Sequence, residues 1–131
     1  MSAFSNYLED QITGWIAGTS MTAPTATFVQ LYSQDPTDAG SATGALYSRV
    51  TVASGAGSWT RGTGGAGTIT NASAITITPS ATATASATHF AVFDASATGN
   101  LLFYGQLTTN KTIASGDEVK FNASALTLTV A

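Results

Sequence analysis

The 131-residue chain has a single histidine, His89, five residues before Asp94 in the stretch THFAVFD (88–94). A histidine close to a carboxylate can work as a general base or begin a metal site. The spacing argues against both. The stretch alternates like a strand, and on a strand an odd offset sends two side chains to opposite faces. His89 shares its face with Ala91 and Phe93, while Asp94 shares its face with Phe90 and Val92. His89 is therefore expected to be structural. Asp94 is expected to open the turn DASATGN, where its carboxylate accepts backbone N–H bonds. A Ser-His-Asp triad could be completed from distant segments, but none of the fourteen serines sits in a G-x-S-x-G elbow.

The other reactive patterns are weaker. Gly62, Gly64 and Gly67 in GTGGAG satisfy G-x-G-x-x-G. A dinucleotide site needs a helix after that loop, to bring its N-terminus to the pyrophosphate. Here the β-like TITNASAITITP follows. Asp35 with Asp38, and Asp117 with Glu118, lie in turn sequences rather than facing across a cleft. One histidine and no cysteine leave too few ligands for zinc and no thiol nucleophile. DPTDAG lacks the alternating oxygens of a calcium loop, and only a loose calcium site at the turns stays open. Asn71, Asn110 and Asn122 match the N-x-[ST] acceptor, as expected by chance in a chain so rich in serine and threonine. No catalytic, cofactor-binding or metal-ligating residue is assigned.

The elements that would position these residues begin with a helix over about 3–17. Phe4, Leu8, Ile12, Trp15 and Ile16 recur at spacings of three and four, Ser2 or Ser5 can cap the start, and Gly18 can stop it. Glu9 falls too far in to interact much with the helix dipole. The apolar face is expected on the chain's own sheet, with a neighbouring subunit as the alternative. From about residue 25 the period changes to two. TATFVQLYS sets Thr27, Val29 and Leu31 against Phe28, Gln30 and Tyr32. LYSRVTVAS points Val50 and Val52 inward and Arg49 and Thr51 outward. Trp59 and Arg61 flank Thr60 on a short piece, GTGGAGT reads as a flexible loop, and Ile75 and Ile77 set the face of one further strand. SATATASAT (80–88) carries no large apolar side chain and reads as an extended connection or an edge. HFAVFDA and LLFYGQLT form a hairpin around SATGN, TNKTIASGD is a turn region, and EVKFN and ALTLTVA are the last strands. The expected fold is all-β: an antiparallel β-sandwich, Ig-like or jelly-roll-like, with one N-terminal α-helix, forming a single domain over 1–131.

Composition narrows the partners. Four cations against seven acids give a net charge of −3. The cations are scattered, so they make no basic patch for nucleic acid. No basic leader opens MSAFSNYLEDQI, and no apolar run approaches the ~20 residues of a membrane span. Alanine, serine and threonine make up 60 of the 131 residues. Such small neutral side chains suit close protein contacts. The aromatic residues exceed what a minimal core needs. Phe4, Tyr7, Leu8, Tyr32, Tyr47 and Trp59 are the candidate interface residues, with the loops 34–45 and 54–67 as further contact regions.

SAFSNYLEDQIT, TAPTATFVQLYSQDPTDAGS and THFAVFDASATGNLLFYGQLTTNKTIASGDEVKFNASALTLTV resemble a family of small bacteriophage virion proteins, many of them labelled tail fibre or minor tail proteins. The resemblance covers about 2–50 and 68–130 and brings no catalytic residue. It implies a non-enzymatic virion structural protein, made in the host cytoplasm and carried on the particle. The expected role is capsid decoration: a cement protein on the capsid exterior that binds the major capsid protein and copies of itself, as a dimer or trimer. A tail-associated or receptor-binding fibre module is the alternative, and a small polysaccharide hydrolase the third. No cofactor, nucleic acid or membrane is expected.

Overall fold

The computed structural model describes residues 2–53, 57–78 and 84–130. In chain order the elements are β1 (Ser2–Phe4), α1 (Asn6–Ile16), β2 (Ala26–Tyr32), β3 (Ala45–Ala53), β4 (Trp59–Arg61), β5 (Thr68–Asn71), β6 (Ile75–Ile77), β7 (Ala85–Phe93), β8 (Leu101–Ile113), β9 (Val119–Phe121) and β10 (Thr127–Thr129). All strand pairs are antiparallel. They form a five-stranded sheet in the order β1-β8-β7-β2-β3, a three-stranded sheet β10-β5-β4 and a two-stranded sheet β6-β9. This is the expected all-β sandwich with one N-terminal helix.

Strand parity builds the core. Val29 and Leu31 of β2, Phe90 and Val92 of β7, and Phe103 and Leu107 of β8 face inward from the large sheet. They meet Trp59, Ile75, Ile77, Val119, Phe121 and Leu128 from the smaller sheets. The Phe103 ring packs edge-on against both Trp59, at 5.7 Å, and Phe90, at 6.3 Å. Trp59 Nε1 donates to Thr27 Oγ1 at 2.9 Å, so the buried indole is satisfied.

The outer face of the large sheet is covered as well. Tyr32, Ala91, Phe93 and Leu101 form a second buried cluster there. The turn-rich stretch 33–44 folds back over it, with Pro36 fully buried and Gly40 beside Leu101. A Cβ on Gly40 would crowd that of Leu101 at 3.1 Å and sit at a φ of +70, a conformation that favours glycine. For this reason β2 is buried on both faces towards its end, where a strand with one solvated face would alternate.

Five expectations need correction. Phe4 is not helical: it pairs with Phe103 in β1, which satisfies its backbone in the sheet, and the helix begins only at Asn6. Glu9 consequently falls in the first turn, where a carboxylate does favour the helix dipole. β8 runs on through Asn110 and Lys111 to Ile113, so the turn lies at 114–117, closed by Asp117 N–H donating to Ala114 O. TITNASAITITP holds two strands, β5 and β6, because the chain breaks after the buried Asn71. Residues 85–88 belong to β7, paired with β8, while the rest of the 80–88 segment lies outside the described residues except Thr84.

Ser5 anchors the helix. It is fully buried; its Oγ accepts from Leu8 N–H at 3.2 Å as the N-cap and donates to Leu101 O. Its backbone N–H donates to Leu102 O at 3.1 Å. Gly18, at φ +94, follows the C-cap Ala17 and ends the helix as expected. Ser5→Ala removes the cap and leaves the Leu101 carbonyl without its donor. The expected cost is about 1–2 kcal/mol, read as a melting temperature lower by roughly 5 °C.

Candidate interaction surface

The helix does not bury its apolar face as expected. No α1 residue is fully buried. Leu8 and Ile12, one turn apart, are half-buried and look into a trough, while Trp15 is 61% and Ile16 73% exposed. Tyr7 and, beyond the helix, Met21 add exposed apolar surface. The trough holds about 800 Å³ between α1 and the three-stranded sheet, walled by Phe4, Ile12, Ile69, Leu128 and Val130 and by the glycine loop. It adjoins a second hollow of about 510 Å³ that shares Leu8, Arg61, Ile69 and Leu128 and reaches Pro24 and Trp59. Together they make one apolar depression flanked by an exposed helix. A helix presents such residues to water only at a cost.

The charge around the patch is one-sided. The chain has no lysine, arginine or histidine before Arg49, while α1 carries the exposed Glu9 and Asp10. Arg61 is the one cation lining the trough.

A latch fixes the helix in place. Asp38 O accepts from Asn6 N–H at 3.2 Å, at the first helical residue. Its side-chain Oδ1 accepts from the Tyr104 hydroxyl on β8. The donor form of the phenol is the neutral one, so the Tyr104 pKa is pushed up to about 12, first by this hydrogen bond and then by burial and the charges of Asp38, Asp35 and Glu9. The folded pKa lies above the unfolded value of about 10. The latch therefore contributes fully below pH 10 and is lost as pH rises through about 12. Ultraviolet titration is expected to show a phenolate step near that upper value that disappears in Tyr104→Phe. The variant should also lose stability less steeply above pH 10.

The sequence candidates divide by burial. Tyr7 is at the surface; Phe4 and Leu8 are half-buried and line the trough. Tyr32, 1% exposed, and Trp59, 7% exposed, are buried: both sides of β2 are covered, and Trp59 packs in the core while lining the second hollow. Tyr47 is half-buried, at φ +60 in a β3 bulge, with its hydroxyl buried and without a hydrogen-bond partner. It packs against the core rather than presenting its ring. The loop 34–45 covers the chain's own sheet, and of 54–67 only 57–67 is described.

His89 and Asp94 stay apart. His89 pairs with Tyr32 and Gln106 in the sheet, and its Nδ1 lies 2.8 Å from Thr88 Oγ1. Asp94 closes the hairpin: its Oδ1 accepts from Asn100 N–H at 2.6 Å and its Oδ2 from Asn100 Nδ2 at 2.8 Å. Gly62, Gly64 and Gly67 form a turn between β4 and β5, pinned by Val130 N–H donating to Gly67 O at 2.6 Å. Asp35 Oδ1 accepts from Thr37 N–H and Asp117 Oδ2 from Ala114 N–H, so both serve turns. Among the described residues no three His, Cys, Asp or Glu side chains gather to hold a metal.

Two residues escaped the sequence reading. Asn71 is fully buried: its Nδ2 donates to Ser73 O and Asn122 O, both at 2.8 Å, and its Oδ1 accepts from Leu126 N–H at 2.9 Å. It is a hub, not a glycan acceptor. The one available signal was an asparagine between two strand-like runs, where an amide can serve chain reversals. Arg49 donates from Nε to Gln30 Oε1 at 3.0 Å and from Nη1 to Ala95 O and Thr98 O at 2.7 and 2.6 Å. Its guanidinium lies 3.4 Å over the Phe93 ring. Burial lowers its pKa, partly offset by Tyr32 and Asp94.

The family described as Podophage GP4 fiber I protein gp80 matches residues 3–129, and the chain belongs to that family of phage virion structural proteins. No curated protein matches it.

Proposed function

We propose that this chain is a non-enzymatic fibre subunit of a phage virion, docked onto neighbouring virion protein through the exposed face of α1 and the trough beside it. The observation that carries the reading is the exposure of Trp15 and Ile16 next to an unfilled apolar depression. A freely soluble monomer gains nothing from that arrangement, and a particle component gains its contact area. The fibre description of the family supports the location. The acidic helix and the scarcity of cations favour a protein partner over nucleic acid. The absence of an enzymatic role is supported by the employment of His89 and Asp94 in local hydrogen bonds.

Capsid decoration, with the major capsid protein as partner and copies of the chain as neighbours, is the second reading. One observation favours it: the described strands fold into one small sandwich, without the long repeats that extend a fibre. Copy number separates the two. Quantitative mass spectrometry of purified virions, with antibody labelling of their position, is expected to find a few copies at the tail. Copies in step with the capsid lattice would replace the fibre reading with decoration, and absence from the particle would overturn both.

A further inference from the structure

A cleft of about 460 Å³ opens on the outer face of the large sheet, between the 33–44 stretch, the β3 bulge and the 94–100 hairpin. Tyr32 and Arg49 line it, with Ser48 and Ser96 among the other lining residues. Tyr32 is 1% exposed, yet among the described residues its hydroxyl has no hydrogen-bond partner. Arg49 spends Nε and Nη1 on Gln30, Ala95 and Thr98, and its Nη2 makes no hydrogen bond among the described residues. The Tyr32 ring is buried while the residue lines the cleft, which leaves its hydroxyl a donor to whatever occupies that space.

We infer that this cleft binds a small hydroxylated carboxylate of the uronic-acid class, one carboxylate oxygen accepting from Arg49 Nη2 and the other from the Tyr32 hydroxyl. Two unspent donors match the two oxygens of a carboxylate. The guanidinium is already held in place by the Phe93 ring and two hairpin carbonyls, so little order is lost on binding. One cation matches one negative charge. Asp94 acts electrostatically on the same guanidinium, which disfavours a doubly charged phosphate. The hydroxyls of Ser48 and Ser96 suit the hydroxyl groups of a sugar acid better than a bare aliphatic acid. Burial raises the Tyr32 pKa, with Arg49 opposing, which keeps the phenol a donor at neutral pH. The inference stands apart from how the chain docks on a particle.

The test is an amide NMR titration of the full isolated chain with sodium glucuronate, acetate and phosphate in parallel. Saturable shifts confined to Ser48, Arg49, Ser96 and Ala97 are expected, with glucuronate binding tightest. Tyr32→Phe removes one oxygen and is expected to weaken glucuronate about tenfold while leaving the remaining spectrum and the melting temperature unchanged. Ser96→Ala, at an exposed position, gives a second reading free of any folding effect, with a smaller loss expected. Absence of saturable shifts at the cleft, or unchanged affinity in Tyr32→Phe, would overturn the site. Phosphate or acetate binding as tightly as glucuronate would overturn the assigned ligand class.

Discussion

Asn71→Ala is expected to lower the melting temperature on the order of 10–20 °C, the largest effect of any single polar substitution in the chain. The amide joins three segments. Nδ2 holds the carbonyls of Ser73 and Asn122, and Oδ1 holds the N–H of Leu126. Its backbone adds bonds from its N–H to Leu126 O and from Ser124 N–H to its O. The bend after β5 and the connection between β9 and β10 are therefore tied at one point. Truncation leaves three backbone groups unpaired around a site with no solvent access. Each such orphan costs roughly 1–3 kcal/mol, and because the three are coupled we expect about 3–5 kcal/mol in total. Asn71→Asp is expected to fare no better, since a carboxylate would face two carbonyl oxygens. Asn110→Ala, at an exposed position of the same sequence type, is the control and should stay within about 0.5 kcal/mol of the parent. Thermal unfolding by circular dichroism reads all three.

The paired change Trp15→Ser with Ile16→Ser is expected to do the opposite: leave the fold intact and abolish assembly. Both side chains are mostly in water in the isolated chain, so their removal costs the fold little. Docked, each would bury an aromatic or branched aliphatic surface worth about 1.5–3 kcal/mol. Losing even half of that from both weakens association by roughly ten- to a hundredfold. The readout is the amount of variant that co-purifies with virions when it replaces the parent protein. Unchanged circular dichroism with lost incorporation supports the docking face; full incorporation would remove α1 from the interface.

Most of the strand content was legible because TATFVQLYS and HFAVFDA carry a two-residue period rich in β-branched and aromatic residues, although both strands turn out buried on both faces, and the SATGN hairpin was legible from its turn chemistry. What escaped the sequence depends on distant partners. The start of α1 shifted because Phe4 finds a backbone partner in Phe103, a pairing of β1 with β8 that no local signal encodes. TNKTI reads as a turn by composition, yet pairing of β8 with Ala85, Ser86 and Ala87 keeps it extended. Tyr32 and Trp59 were placed among the contact residues because aromatic residue type cannot separate a core ring from an interface ring. The cover over Tyr32 comes from the 33–44 stretch, whose Asp, Pro and Gly residues signal only that the chain turns. The exposed helix face was half visible: the helical period found Leu8 and Ile12, but not that the sheet would leave Trp15 and Ile16 in water. The Arg49 and Asn71 clusters are made of long-range hydrogen bonds to carbonyls and had no periodic signature.

Docking through α1 is tested most directly by a photo-reactive phenylalanine analogue placed at position 15 and irradiated in intact virions. The account predicts a covalent adduct between this chain and a neighbouring virion protein, formed at position 15 and absent from the isolated chain at the same concentration. Efficient incorporation of the labelled chain with no adduct on irradiation would show that the helix faces solvent in the particle, and would contradict it.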